Sequence, residues 1–290
     1  MRISGFEKFQ TTQTYLNKLQ YEQSIKHEQI STGKMFQRVS DDPVRVNRSM
    51  LVNSSISKVD QYLSNVSDAK GLLEFIDTTY GNTIDAIHQV KAVAIKGDND
   101  TVSAEDRKVM ASEVEQMIKQ VVSFANSRYL DRYTFSGEKT DVKPITYDGA
   151  TFTYNGNNNE MKIEVSDNLK INVSQEADQA YMPVLENLVE IRDALNNNDT
   201  AALKVGMTNL DSSFTKMIDR RSEVGVQLKS AEILNAAYYE TKVDLTARKQ
   251  DAEDVNLADA ISEFSYMQTL YQATIKSAAS MLKTSIMDYL

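Results

Sequence analysis

The 290-residue chain contains no cysteine and no tryptophan. Without cysteine, no disulfide bond can stabilise the fold and no thiol is available for catalysis or metal binding. Proline and glycine are also scarce, with 3 and 10 residues. Because these two residue types interrupt helices most strongly, their scarcity predicts long, uninterrupted helices.

Excess positive charge and long apolar runs are lacking as well. The net charge is −9 and the isoelectric point is near 4.9, which argues against nucleic acid as a partner because phosphate binding needs a basic face. No apolar run is long enough to span a bilayer, so no membrane is expected as a partner. The N-terminal residues MRISGFEKFQTTQTYL lack the apolar core of a cleaved secretory signal peptide.

Side chains suited to catalysis or metal binding are few and scattered. The two histidines, His27 and His88, lie far apart on predicted helices, and neither has a companion ligand at a fixed spacing. The adjacent aspartates Asp41 and Asp42 lack the surrounding pattern of a pocket, and helix capping accounts for them better. No catalytic residue, metal or cofactor is therefore predicted, and an enzyme is the least favoured class.

Apolar residues recur every seven positions in two long segments. A sustained repeat of seven is typical of a coiled-coil seam. At about 1.5 Å per residue, residues 52–94 span roughly 63 Å, which exceeds the ~50 Å diameter of a compact sphere of this chain length. The sequence therefore predicts an elongated rod in which residues 52–94 pack antiparallel against residues 203–245. The two series are Val52, Val59, Val66, Leu73, Tyr80, Ile87 and Ala94, and Leu203, Leu210, Met217, Val224, Ala231, Tyr238 and Leu245.

The two ends of the chain carry another pair of stripes. The C-terminal stripe advances in alternating steps of four and three, whereas the N-terminal stripe is thinner and contains Gln23. The two helices are expected to pair, and the N-terminal helix should be marginal until it finds partners. The predicted assembly interface consists of Phe9, Leu16, Ile30, Leu257, Ile261, Phe264, Tyr271, Ile275, Leu282 and Tyr289.

Further helices are predicted over residues 103–129, with Ser103 as N-cap, and from Pro183 onward. Between them, residues 144–174 alternate apolar and polar side chains around turn signals, which predicts a small β-rich module. The predicted fold is mainly α, with the chain ends paired at one end of the rod and the β module at the other. The predicted domains are a terminal coiled-coil assembly domain (1–43 and 254–290), a helical body (44–136 and 183–253) and a β-rich outer module (137–182).

The segment ISTGKMFQRVSDDPVRV, residues 30–46, predicts a sharp joint between two helices. Gly33 suits a helix end, since glycine takes the left-handed conformation at low cost. Pro43 suits the first helical turn and keeps Asp42 out of helical geometry. Asp42 is then the N-cap of the next helix. Asp41 is assigned to the same structural joint.

This joint and three other segments together resemble the flagellin family, in particular its hook–filament junction branch. The segment ANSRYLDRYTFSGEKTDVKPI resembles the exit from the helical body, and RRSEVGVQL resembles the returning body helix with Gly225. The segment VNLADAISEFSYMQTLYQATIKSAASMLKTSIMDYL is similar to the C-terminal helix of the family. The resemblance covers both ends and most of the body, but not the β module.

The resemblance implies a structural protein that is exported unfolded, without a cleaved signal peptide, to the extracellular bacterial flagellum. It also implies a homo-oligomeric ring layer between the first hook-associated protein and flagellin. Further implied partners are the flagellar export apparatus and an export chaperone, which would bind the C-terminal helix.

Two other protein classes remain as alternatives. A flagellin filament subunit would share the same end helices, although flagellins usually carry alanine or glycine after the paired aspartates, where this chain has Pro43. An intracellular coiled-coil adaptor would have no use for paired end helices beside an export-type N-terminus. The junction branch is therefore the favoured interpretation.

Overall fold

Seven helices and six short strands make up the described part of the chain. The computed structural model describes the backbone of residues 2–287 and the side chains of residue 7 and residues 9–280. The helices are α1 (Arg2–Thr32), α2 (Pro43–Gly97), α3 (Ala104–Ala125), α4 (Ala177–Ala180), α5 (Met182–Asn196), α6 (Thr200–Glu253) and α7 (Leu257–Met287). The strands are β1 (Arg128–Tyr129), β2 (Arg132–Tyr133), β3 (Ile145–Tyr147), β4 (Phe152–Tyr154), β5 (Lys162–Ser166) and β6 (Leu169–Asn172). The prediction of a mainly α fold is confirmed.

Local signals set several helix boundaries. Ser103 caps α3 as predicted, because its hydroxyl accepts a hydrogen bond from the Asp106 amide at 3.0 Å. Pro183 stands in the first turn of α5, also as predicted. The helix predicted over residues 103–129 ends earlier, at Ala125. It ends there because the Asn126 side chain pairs with both the amide and the carbonyl of Ile145, at 2.9 Å each, and turns the chain toward the strands.

The chain divides into two compact units. Unit 1 comprises residues 1–58 and 242–290, and unit 2 comprises residues 59–241. Because α2 and α6 are each longer than 50 residues, both contribute to both units.

In unit 2, α2 and α6 pack antiparallel, as the repeats of seven predict. Residue numbers along α2 rise as those of their partners on α6 fall. The pairs are Tyr62 with Tyr238, whose ring centroids lie 5.7 Å apart, Asp77 with Arg221, joined at 2.8 Å, and Lys91 with Asp211, joined at 2.5 Å. The apolar residues of the two repeats of seven are buried most completely in unit 2. The buried stretches run from Val66 to Ala94 on α2 and from Leu203 to Ala231 on α6. Residues of α3, α5 and the hairpins belong to the same core and remove this stretch from water.

Three antiparallel hairpins lie between α3 and α4: β1–β2, β3–β4 and β5–β6. The last one packs along the side of the long helices. Asn65 on α2 donates a hydrogen bond to the Glu164 carbonyl at 2.7 Å, and Tyr238 on α6 donates one to the Val165 carbonyl. The hairpin packs there because β5 presents Val165 to the core and must lie against a helix to bury it.

A cluster of three buried aromatic rings joins the hairpin segment to α2. The rings of Tyr80, Phe135 and Tyr181 have centroids between 4.9 and 5.8 Å apart. Both phenol groups have partners, since Tyr80 donates to Gln175 at 2.9 Å and Tyr181 lies 3.2 Å from the Thr83 hydroxyl. Burial raises the pKa of both tyrosines, so the cluster is neutral at ordinary pH.

The turn after α2 is where α2, α3 and α5 meet. The buried guanidinium of Arg107 donates hydrogen bonds to the Gly97 carbonyl at 2.8 Å and to the Asn99 carbonyl at 2.9 Å, and also to the Asn198 side chain. Gly97 is required here, because a Cβ at this position would lie 2.5 Å from a Leu195 methyl carbon. One buried arginine thus satisfies the Gly97 carbonyl, which the end of α2 leaves free, and ties it to the following turn.

Candidate assembly surface

The joint between α1 and α2 lies in unit 1 and begins at Gly33. This residue has φ of +70°, in the left-handed region, and its amide donates to the Gln29 carbonyl at 2.9 Å. A side chain there would have space, since nothing lies within 4 Å of a Cβ. Glycine is therefore favoured by its backbone conformation alone.

The two aspartates of the joint have different roles. Asp42 caps α2, because its Oδ1 accepts hydrogen bonds from the Val44 amide at 3.1 Å and the Arg45 amide at 3.0 Å. Asp41 closes the preceding loop by accepting from the Arg38 amide at 2.9 Å and the Gln37 amide at 3.1 Å. These two backbone hydrogen bonds hold the pKa of Asp41 below its usual value. Pro43 is the first residue of α2. The adjacent carboxylates are thus occupied by backbone groups, which leaves neither positioned as a catalytic acid or base.

The joint also binds the turn between α6 and α7. The Met35 amide donates to the Glu253 carbonyl at 2.6 Å, and the Val255 amide donates to the Gly33 carbonyl at 3.0 Å. The Lys34 ammonium forms ion pairs with Asp254 at 2.7 Å and with Glu253 at 3.1 Å. Hydrogen bonds to these two carboxylates raise the pKa of Lys34. The turn from α1 to α2 and the turn from α6 to α7 are therefore one hydrogen-bonded junction.

Helices α1 and α7 pack antiparallel in unit 1. Lys26 pairs with Glu263 at 2.7 Å, and the Gln20 amide donates to the Tyr271 hydroxyl at 2.8 Å. The His27 and Phe264 rings lie 6.1 Å apart. Within this pair Leu19 and Ala260 are buried. The polar contacts show that the seam of the pair is only partly apolar.

The predicted assembly residues divide between the covered and the open faces of this helix pair. Leu16, Ile30, Phe264 and Tyr271 are half-buried. Phe9, Leu257, Ile261 and Ile275 are more than 40 % exposed. The side chain of Leu282, and Tyr289 altogether, lie outside the described residues. The apolar stripe of α7 is wide enough to contact two helices, and α1 covers only part of it. Leu257, Ile261 and Ile275 therefore form an open apolar strip on α7.

The structure also exposes apolar residues that the analysis of the repeats missed. Tyr21 and Ile25 on α1, and Tyr266 on α7, are exposed although they lie outside the predicted interface. More than half of the exposed large apolar residues in the described chain belong to unit 1, which is little more than a third of it. On α1, the spacing of four between Tyr21 and Ile25 is a second apolar stripe, from which the sequence could have predicted their exposure. Exposed apolar surface concentrated in one unit is typical of a protein–protein interface.

Neither a metal site nor a membrane-spanning helix is found among the described residues. Among the described residues, no group of three or more histidine, cysteine or acidic side chains is placed to hold a metal ion. None of the described helices combines the length and the hydropathy needed to cross a membrane. The open apolar surface of unit 1, together with its joint, is therefore the candidate functional site.

Sequence comparison shows which known proteins this chain resembles. Residues 3–140 match the family model of the bacterial flagellin N-terminal helical region. Similarity to flagellar proteins extends over nearly its whole length, so the chain resembles the flagellin family.

Individual relatives are similar over most of the chain. The chain is 23% identical to Flagellar hook-associated protein 3 of Escherichia coli strain K12, in an alignment that covers 99% of this chain and 98% of that protein. It is 22% identical to Flagellin FlaB1 of Treponema pallidum, over 85% of this chain and 84% of that protein. Among solved structures, Bacillus cereus FlgL superposes with a TM-score of 0.63 at 24% identity, covering 69% of this chain and 99% of that chain. This structural likeness shows that the fold is shared.

Proposed function

We propose that the protein is a structural subunit of the bacterial flagellum that forms the junction layer between the hook-associated zone and the flagellin filament. The observation that carries this proposal is the alignment with Flagellar hook-associated protein 3, which leaves almost no part of either chain unmatched. The role is mechanical, and the protein is not an enzyme. The paired aspartates, which offered the nearest approach to a catalytic pair, are engaged in capping and loop closure.

The open surface of unit 1 supports an assembly role. Leu257, Ile261 and Ile275 expose between 42% and 50% of their surface. Burial of a large apolar side chain contributes about 1.5–3 kcal/mol, so covering this strip would stabilise an assembly considerably. Two-helix pairs gain most of their stability when further helices complete the seam. Neighbouring subunits are the natural source of those helices.

The partners follow from the position of the layer. Copies of this chain form a ring, which contacts the first hook-associated protein on one side and flagellin on the other. The flagellar export apparatus delivers the chain to the extracellular flagellum without cleaving a signal peptide, and an export chaperone covers the C-terminal helix before export. The exposed apolar strip on α7 gives such a chaperone a reason to bind, because it would otherwise promote aggregation.

The domain assignment completes the proposal. Residues 1–43 and 254–290 are the terminal assembly domain, residues 44–136 and 183–253 are the body, and residues 137–182 are the outer module. The assembly interface comprises the ten apolar residues assigned from the stripes, with Gly33, Asp41, Asp42 and Pro43 as the structural joint.

A flagellin filament subunit is the second candidate. The flagellin N-terminal region over residues 3–140 favours it. The alignment with Flagellin FlaB1 is shorter than that with Flagellar hook-associated protein 3 and leaves about a seventh of the chain unmatched. The two candidates differ in where the protein lies and in how many copies a flagellum needs.

Deletion of the coding sequence, followed by electron microscopy, tests the proposal. The null strain is expected to build hooks, to release flagellin monomers into the medium and to swim poorly. Immunogold label on wild-type flagella is expected as one narrow band where the filament begins. Normal filaments in the null strain would contradict the junction role, and label along whole filaments would establish the flagellin alternative.

A further inference from the structure

The tip of the β1–β2 hairpin combines backbone strain with an exposed apolar side chain. Its two turn residues, Leu130 and Asp131, have φ of +46° and +64°, in the left-handed region that favours glycine and asparagine. The Leu130 side chain is 81% exposed. Leucine is unfavourable here for two reasons: its backbone conformation is strained, and its apolar side chain lies in water. A contact with another molecule, absent from the free chain, would explain why leucine occupies this position.

The hairpin that carries Leu130 is firmly anchored. The ring of Tyr129 packs against that of Phe75 on α2, with centroids 5.5 Å apart. Gly71 makes this approach possible, since a Cβ there would lie 2.5 Å from the Tyr129 hydroxyl oxygen. Arg128 donates to the Asp131 carbonyl and so braces the turn. The Leu130 side chain is therefore held out from a rigid base, which lowers the entropy lost on binding.

A groove between α2 and α6, within unit 2, contains the second unexplained feature. Gly225 lies inside the 54-residue helix α6, where glycine is about 1 kcal/mol less favourable than alanine. Nothing lies within 4 Å of a Cβ built at Gly225, so no close approach within the chain accounts for this glycine. The groove has a volume of about 580 Å³, and Ile84, Phe214 and Ile218 are its apolar lining. The groove is shallow and open to solvent, so a leucine side chain of another molecule can reach this apolar lining.

The tip and the groove lie on opposite faces of α2. Asp68 and Leu72 line the cavity beside Leu130, whereas Ile84 and His88 line the groove. At roughly 100° per residue, these two pairs of α2 positions differ in direction by about 160°. A projection on one face and a recess on the opposite face cannot meet within one unit, but they can join successive copies side by side.

The charges around the two features are complementary. Asp131 and Arg132 follow Leu130 in the chain, and neither side chain has an ion-pair partner among the described residues. The groove is lined by Arg221 and by Asp77, which pairs with the Arg221 guanidinium at 2.8 Å. Exposed Asp85 acts electrostatically on Arg221, so an acidic group lies near the same rim. An incoming tip can therefore set Asp131 beside the Arg221 guanidinium and Arg132 beside Asp85.

We propose that Leu130 at the hairpin tip of one copy of this chain inserts into the Gly225 groove of the next copy. The contact is heterologous, because it joins two different surfaces, and such contacts generate closed rings or helical assemblies. The inference rests on the proposed function only in requiring that copies assemble with one another. The proposed contact between copies is formed by unit 2. It is separate from the assembly contacts proposed for the apolar surface of unit 1.

Cysteine crosslinking tests the contact directly, since the chain has no cysteine of its own. Purified Leu130→Cys and Gly225→Cys proteins are mixed at high concentration and oxidised, and both variants are also expressed together in cells from which flagella are isolated. A covalent dimer that requires both variants is expected. The control pair combines Gly225→Cys with Val109→Cys, an exposed position on α3. Equal yield from the control pair, or no dimer in either preparation, refutes the contact.

Crosslinking in the purified protein does not depend on the location of the protein in the cell. If immunogold label refutes the junction layer, the crosslink still reports whether copies dock in this way. If the label confirms the junction and no crosslink forms, only the docking proposal fails. The two proposals are thus tested separately.

Two substitutions separate docking from folding. Leu130→Asn suits the left-handed turn, so the unfolding temperature is expected to hold or rise, while self-association measured by sedimentation weakens about tenfold through loss of a buried leucine. Gly225→Leu fills the groove and favours helix, so unfolding temperature should rise and association should be lost. Val109→Gln is the control and should change neither. Unchanged association in both docking variants, or a lower unfolding temperature in Leu130→Asn, contradicts the proposal.

Discussion

Single polar residues hold the turns of this protein, and Arg107 is the clearest example. Its guanidinium is 6% exposed and binds the Gly97 and Asn99 carbonyls. A buried group of this kind is destabilising to remove because the Gly97 carbonyl is left without this hydrogen bond. The same logic applies to Asp42, whose carboxylate serves the free amides at the start of α2.

Arg107→Ala is expected to lower the free energy of unfolding by about 2 kcal/mol, since it leaves the carbonyl of the buried residue Gly97 without this hydrogen bond. Denaturant titration of the purified protein measures this change. The matched control is Arg248→Ala, whose side chain is exposed and pairs with Asp244 within one helix; its effect should stay within about 0.5 kcal/mol. Equal effects of the two substitutions would show that the turn does not depend on Arg107.

A partly buried ionic cluster makes the stability of unit 2 depend on pH. Glu115 on α3 accepts from Arg192 on α5 at 2.8 Å and from the Tyr147 hydroxyl at 3.0 Å. Burial acts to raise the pKa of Glu115, but the hydrogen bonds from Arg192 and Tyr147 outweigh it and hold the pKa below the ordinary value of 4.5. The stabilisation is therefore complete above the unfolded-state pKa and is lost as pH falls through the lower, folded-state value.

Wild-type protein is accordingly expected to lose stability as pH falls below about 4.5, and Glu115→Gln should flatten part of that dependence. Thermal unfolding at a series of pH values from 7 downward measures it. Glu105→Gln, at an exposed position in the first turn of the same helix, is the control. Identical pH profiles for wild type and Glu115→Gln would refute this role of the cluster.

At the scale of elements, α7 shows how one helix serves two purposes. Phe264 and Tyr271 face α1, whereas Leu257, Ile261 and Ile275 remain open. The first group holds the pair together in one chain. The second group stays exposed in the single chain.

Ile275→Asp places a charge on the open part of α7, where the wild-type side chain is 42% exposed. Unfolding of the isolated protein should change little, because the charge stays in water. Incorporation at the hook tip should be abolished, because assembly would bury the charge unpaired. Secretion is measured separately, since the same change can weaken chaperone binding. Ser262→Asp, exposed on the other side of α7, serves as control; a large loss of stability in Ile275→Asp would place this residue in the folding core.

At the scale of the whole molecule, the two units differ in how fully they bury their apolar residues. The large buried cluster lies within unit 2, from Val66 to Ala231. Unit 1 keeps an open apolar surface and a partly polar seam between α1 and α7. Local stability follows buried apolar contact, so the two units should open with different free energies.

Hydrogen exchange of the purified protein is expected to be fast in residues 1–30 and 257–290 and slow in residues 66–94. In assembled flagella the terminal helices should become protected, because neighbouring copies cover them. Mass spectrometry of peptides from the free and assembled protein gives both measurements. Strong protection of α1 and α7 in the free protein would mean that the terminal helices fold without assembly.

The sequence by itself determined the features that depend on near neighbours. The caps at Asp42 and Ser103, the start of α5 at Pro183 and the two repeats of seven were all predicted and are present. Each follows from interactions within a few residues or from a period that one helix imposes on its own side chains. The mainly α fold and the antiparallel pairing of α2 with α6 follow from the same periods.

The tertiary structure alone decided which surfaces meet. It placed the β5–β6 hairpin along α2 and α6, gathered Tyr80, Phe135 and Tyr181, and divided the α7 stripe into covered and open parts. These residues are distant in sequence, and their contacts are selected by packing among several elements at once, for which no local period exists. The open strip on α7 and the groove at Gly225 could be recognised only from the folded chain, because folding determines which other apolar residues are buried.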